Sequence, residues 1–154
     1  MKKWPWLTLS LIIILFDQAT KYWALESLTP FEPVYVLPMF SFTLAFNTGA
    51  AFSFLSGAGV WHQWFFVGFS AVMSVVLLVW MLRADQSSKL LLFSISMILG
   101  GAIGNLIDRL TQGHVIDFID LYYRQYHCPV FNLADSAICI GAVFIIIDLI
   151  KHPN

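Results

Sequence analysis

The chain has 154 residues, 59% of them hydrophobic and only 11% charged, with a mean hydropathy of +0.79. That balance excludes an ordinary soluble domain and fits one integral membrane domain over residues 1–154 with a few spans. The formal net charge of −1 excludes the basic face that a nucleic-acid partner needs.

Taken in chain order, Lys2 and Lys3 before an apolar run look like a secretory signal peptide. The run leads instead into Asp17-Gln18-Ala19-Thr20-Lys21 with no small-x-small cleavage site, so it reads as a retained first span. Four segments are long enough to cross about 30 Å of hydrocarbon as helices: Trp6–Leu25, Trp64–Leu82, Leu90–Ile107 and Val130–Ile150. In the first, Asp17 and Lys21 are four residues apart and share a helix face. Between the first two spans, from Thr29 to Gly59, Pro30, Pro33 and Pro38 break helix. Val34–Leu37 and Phe40–Phe46 read as short strands with a turn at Asn47-Thr48-Gly49. A small antiparallel sheet on the outer membrane surface is expected. Its Phe40, Phe42, Phe46 and Phe52 suit contact with lipid or an acylated ligand.

The third span holds Gly100-Gly101-Ala102-Ile103-Gly104, a small-residue patch that permits close helix approach. After it, Thr111–Pro129 reads as a short aromatic outer loop. Cys128 and Cys139 lie outside any CxxC or Cys/His zinc spacing, and Cys139, in an apolar run, is expected to pack as a small hydrophobe. Lys2, Lys3, Arg83, Lys89 and Lys151 fall on one side, against Lys21, Arg109 and Arg124 on the other. This bias places both termini in the cytoplasm.

Ionisable groups in or beside membrane helices default to a functional reading with a named partner. Asp135, one turn inside the outer mouth of the fourth span, has Asp117 as its natural partner, in the loop that folds back from the third. Two close carboxylates share a proton, because both cannot ionise readily. The ionised one can take a proton from water and the protonated one can give a proton to a carbonyl oxygen, which is metal-free peptide hydrolysis. The plainer reading makes Asp117 or Asp135 a helix cap or an interfacial ion-pair residue. Asn105, Asp108 and Arg109 share one face of the third span, with Arg109 expected to clamp Asp108 or a backbone carbonyl. Asp120 competes with Asp117 for the catalytic role. A His114/Asp117/Asp120/His127 metal site is conceivable, whereas serine chemistry has no GxSxG elbow. Two rivals come from other classes: a proton-coupled transporter relaying through Asp17, Asp108 and Asp135, and a lipid-binding protein without activity.

Five blocks together carry a resemblance: Asp17–Lys21, Phe46-Asn47-Thr48-Gly49-Ala50-Ala51-Phe52, Gly104-Asn105-Leu106-Ile107-Asp108-Arg109, Gly113-His114-Val115-Ile116-Asp117-Phe118 and Phe131-Asn132-Leu133-Ala134-Asp135. In order and spacing they resemble bacterial lipoprotein signal peptidase (signal peptidase II), over essentially the whole chain. The resemblance implies an all-α membrane fold of four transmembrane helices, with an outer β-cradle and a short outer helix. It implies an aspartic endopeptidase of the bacterial inner membrane, its site toward the outer side. The enzyme cleaves diacylglyceryl-modified prolipoprotein before the lipidated cysteine and is inhibited by globomycin. Asp117 and Asp135 match the catalytic pair. Asp17, Lys21, Asn47, Gly49, Asn105, Asp108, Arg109, Asn132 and Ala134 fall at positions that bind substrate or support the site. No cofactor or metal is expected; the partners are the prolipoprotein and membrane phospholipid, and the chain is expected to act as a monomer.

Overall fold

The computed structural model of the chain describes residues 3–49 and 60–151. Four helices, α1 (Trp4–Ser27), α2 (Val60–Arg83), α3 (Lys89–Thr111) and α4 (Leu133–Lys151), accompany four strands, β1 (Val34–Leu37), β2 (Phe40–Asn47), β3 (Val115–Tyr123) and β4 (Tyr126–His127). The helix Gln63–Arg83 within α2, together with α3 and α4, is long and apolar enough to cross a membrane. Helix α3 is central, and α1, α2 and α4 each pack against it.

Helices in lipid gain nothing from hiding apolar surface from one another, so close backbone approach must supply the packing energy. The small-residue patch of α3 provides that approach. A Cβ added at Gly101 would collide with the carbonyl oxygen of Ala134 on α4 and come within 2.8 Å of Ile138 Cγ1. On the other side of α3, Leu92, Ile95 and Leu99 bury against Leu77 and Met81 of α2, with Trp6 and Leu7 of α1 packed around them.

The strands form one antiparallel sheet in the order β1-β2-β3-β4. The hairpin β1–β2 was legible from the prolines and the alternation. Thr111–Pro129, however, is not the loop expected from sequence. It contains β3, which pairs with β2 through Ala45↔Asp117 and Ser41↔Asp120, with a bulge between Phe42 and Ala45. Burial of Val115 through Phe118 on consecutive positions explains why no clean alternation betrayed the strand. The sheet rests on α1 through Ala24, Leu44, Ile116 and Phe118, with Trp23 edge-on to Phe42 at 5.0 Å. All four residues of β1 are exposed.

Two further expectations change. α4 begins at Leu133 rather than Val130, because Phe131 is held extended by Ile119: Phe131 N–H donates to Ile119 O at 3.0 Å and Ile119 N–H to Phe131 O at 2.8 Å. α3 runs on to Thr111 and carries Asn105, Asp108 and Arg109 within it, as their spacing indicated. Cys139 is exposed on α4 and is not part of a packed interior. Among the described residues there is no short outer helix, and Phe52 with the end of the outer segment lies outside them.

Replacing Gly101 by Ala should force α3 and α4 apart and cost about 1–3 kcal/mol. Gly68→Ala, where a new methyl meets nothing within 4 Å, serves as the control. Thermal unfolding in detergent should show a clear drop for the first variant and none for the second. Equal transitions would mean that close α3–α4 approach does not hold the bundle together.

Candidate active site

The site grows from the beginning of α4. Asn132 precedes the helix, and its Oδ1 accepts the Asp135 N–H at 2.9 Å. Asp135 Oδ2 in return accepts the Asn132 N–H at 3.3 Å. This reciprocal pair is a capping box, satisfying two donors that a helix start leaves free. Asn132 is fully buried, and its Nδ2 donates to Asp117 Oδ1 at 2.6 Å. One side chain thus holds both aspartates: Asp135 by its cap and Asp117 by its amide. Asn105 Nδ2 on α3 donates to the other Asp135 oxygen at 2.8 Å.

Asp117 comes from β3 and is 2% exposed. Its Oδ2 accepts from Asn47 Nδ2 at 3.0 Å. Asn47 is aimed by the turn that follows it, where Gly49 N–H donates to Asn47 Oδ1 at 2.8 Å. Gly49 has φ +86, and a Cβ there would stand 2.5 Å from the Phe66 ring, so the turn has no room for a side chain. Burial first, and the negative charge of Asp135 second, push the Asp117 carboxyl up to about 7. Such a group holds its proton into the neutral range.

Behind the pair lies an ion cluster. Lys21, 1% exposed, bridges Asp17 and Asp108 at 2.7 Å each and donates to Asn105 Oδ1 at 2.9 Å. Asp17 Oδ1 accepts the Ala134 N–H at 2.9 Å, and Asp108 Oδ2 accepts the Ile116 N–H at 3.2 Å. The Asp17–Lys21 pair read from spacing is therefore present, and Ala134 enters through its backbone. Arg109 behaves differently from one alternative expected for it, since Asp108 is taken by Lys21. Its Nη1 donates weakly to Asn105 O and to Ser70 Oγ, both at 3.4 Å, and its guanidinium stands 5.6 Å from the Phe66 ring.

Asp120 does not join the pair. It accepts from Ser41 and Thr43 hydroxyls at 3.1 and 3.2 Å and lies 2.9 Å from His127 Nδ1. His114 instead packs edge-on to Phe46. The four residues considered for a metal are thereby dispersed, and among the described residues no three His, Cys, Asp or Glu converge to hold an ion. The proton-relay rival loses Asp17 and Asp108 to a shared lysine.

Sequence reasoning missed the α2 contribution. A cavity of about 360 Å³ opens between α2, α3 and α4, with Asn105, Arg109 and Asp135 at its polar end and Phe69, Met73, Leu77, Ile98 and Ile138 among its apolar walls. The available signal was Phe66, Ser70, Met73 and Leu77, spaced as one face of α2.

Comparison with known proteins gives a consistent result. The family model described as Signal peptidase (SPase) II matches residues 9–151. The lipoprotein signal peptidase of Alteromonas mediterranea is 47% identical over 148 residues, covering 96% of this chain and 81% of that protein. That of Coxiella burnetii is 45% identical over 153 residues, covering 99% and 94%. A solved bacterial membrane enzyme, determined by the in meso method at 1.9 Å, superposes with a TM-score of 0.85 at 33% identity, covering 96% of this chain and 93% of that one.

The raised Asp117 value has a signed consequence. An unfolded aspartate releases its proton near 3.8, whereas the folded group holds it to about 7. The folded state therefore binds the extra proton across that window, and this group's contribution to stability falls as pH rises through it. Asp117→Asn removes the titration. The unfolding temperature of the variant minus that of the parent should become more positive from pH 4 to pH 8. A difference independent of pH would show that Asp117 titrates normally.

Proposed function

The chain belongs to the signal peptidase II family, and we propose that Asp117 and Asp135 are the pair with which it cuts. It is a bacterial membrane peptidase that removes signal peptides from lipoprotein precursors. The observation that carries the catalytic assignment is Asn132, whose side-chain amide donates to the Asp117 carboxylate and whose backbone N–H donates to that of Asp135, while Asp117 is pushed up to about 7.

In this reading the shared proton rests on Asp117. Asp135 sits in the first turn of α4, where the helix dipole favours a negative charge. Asp135 takes a proton from water as the oxygen adds to the scissile carbonyl carbon, and Asp117 gives its proton to the carbonyl oxygen. When the resulting gem-diol collapses, Asp135 passes its proton to the leaving nitrogen and a hydroxyl returns one to Asp117. The C–N bond breaks and the pair is restored. Asn47, Asn105 and Asn132 hold the carboxylates, with Gly49 shaping the turn that aims Asn47. The ion cluster of Asp17, Lys21 and Asp108 holds the frame. Arg109, weakly bonded at the cavity mouth, is placed to meet a substrate carbonyl.

The cavity between α2 and α4 takes the apolar part of the signal peptide. Helix α1 has 24 residues, about 36 Å at 1.5 Å per residue, with Asp17 and Lys21 turned inward; it serves as a fourth span. Both termini then lie on the cytoplasmic side of the inner membrane, with the dyad toward the outer side. The chain works as a monomer among phospholipids, without a cofactor, and is blocked by globomycin. The substrate cysteine carries a diacylglyceryl group. Each buried CH₂ contributes about 0.8 kcal/mol, so two acyl chains hold the scissile bond at the depth of the dyad.

Asp117→Asn and Asp135→Asn should each bring cleavage of a purified diacylated prolipoprotein to near background in a gel-shift assay, with insertion and folding retained. Full activity in either variant would remove that residue from the mechanism. In the same assay, precursor with an unmodified cysteine should be cut far more slowly than the diacylated form at equal concentration. Equal rates would show that lipid does not position the substrate.

A further inference from the structure

Between the two aspartates the chain makes a closed excursion. It leaves Asp117 along β3, turns, comes back through His127 and reaches Asn132 five residues later. The pairing that secures the return is short, Tyr122↔His127 and Tyr123↔Tyr126, with Cys128 N–H donating to Leu121 O at 2.8 Å. A two-residue strand is a weak fastening by itself.

The stronger fastening is a side-chain one. Asp120 is 3% exposed, and its carboxylate oxygens lie 3.0 and 2.9 Å from His127 Nδ1. Ser41 and Thr43 of β2 donate to the same carboxylate. His127, 45% exposed along its side chain, stacks on Tyr122 at 5.3 Å. The buried carboxylate is thus immobilised by β2, and the imidazole brings the returning chain to it. Beyond His127, Phe131 is bonded to Phe118 and Ile119, and Asn132 and Asp135 follow directly.

We propose that Asp120 and His127 are positioning residues for the dyad, their contact fastening the returning chain to β3 and so fixing the separation of Asp135 from Asp117. The inference rests on the reading of Asp117 and Asp135 as the cutting pair. Neither residue reaches the reacting atoms. Their effect passes through Asn132, whose bonds to both aspartates tolerate little displacement. Misplacement by about 1 Å in such a site costs up to about a hundredfold in rate.

The test compares His127→Ala with His127→Asn. Both lose the stacking on Tyr122, but Asn keeps an N–H donor near the Nδ1 position. With diacylated prolipoprotein, His127→Ala should lower kcat roughly tenfold with KM within about twofold, while His127→Asn recovers most of the loss. A second readout is the ¹³C signal of the Asp117 carboxyl, assigned by its disappearance in Asp117→Asn. Its titration midpoint should fall in His127→Ala, because the charge of Asp135 is no longer held close, and should stay near the parent value in His127→Asn. A merely structural tie would lower the unfolding temperature without moving that midpoint. Unchanged kcat in His127→Ala, or equal losses in both variants with the midpoint unmoved, overturns the proposal. Retained cleavage by Asp117→Asn would instead overturn the assignment of the dyad.

Discussion

A lysine ammonium shut away from water between two carboxylates organises this molecule. Lys21 lies 2.7 Å from both Asp17 and Asp108, and all three are almost completely buried. Removing such charges from water costs several kcal/mol per ion, offset only where geometry is good and the remaining lone pairs are satisfied. Here they are satisfied by other elements. Asp17 accepts from the backbone of α4, Asp108 from the backbone of β3, and Gln18 Nε2 donates to Asp108 Oδ1 at 2.8 Å. The cluster therefore joins α1, α3, α4 and β3 at one point. Two of those elements carry Asp135 and Asp117, so the bonds that stabilise the buried lysine also set where the two acids meet.

The same economy appears at the start of α4. Acting as a helix cap does not exclude Asp135 from pairing with Asp117. The capping box with Asn132 is present, and the amide left over from the cap binds Asp117. Beginning the helix and positioning the two aspartates use one asparagine. This explains why the two carboxylates stay close although they repel: each is held by amides from a strand or a helix, and the raised Asp117 value reflects burial first and that repulsion second.

What was legible from sequence divides along physical lines. Apolar runs marked four segments, and three of them form helices long and apolar enough to cross a membrane, since hydrocarbon leaves few other ways to satisfy a backbone. The i, i+4 spacing located the Asp17–Lys21 pair, and Asn105 with Asp135 could be placed at one mouth. Strand β3 could not be read, because burial on consecutive positions erases alternation. The third partner of Lys21 was hidden too: Asp108 stood beside Arg109 in sequence, and only helix packing turned it toward α1. The start of α4 was displaced by Phe131, whose bonds to Ile119 are long-range and leave no local mark.

The division of polar and apolar surface around the cavity gives the arrangement its last constraint. Among the described residues its walls are apolar apart from the polar side chains of Asn105, Arg109, Ser70 and Asp135. A water-soluble peptide would lose hydrogen bonds on entering and find few replacements. An apolar helix already in the bilayer loses none, because its backbone is satisfied internally. α2 and α4 flank α3, and the cleft between them opens among α2, α3 and α4. The polar end lies where α3 and α4 meet the sheet. A peptide bond becomes open to attack only where the helix has ended. Two acids at the end of an apolar cleft thus favour a group that already resides in the membrane over one that must leave water.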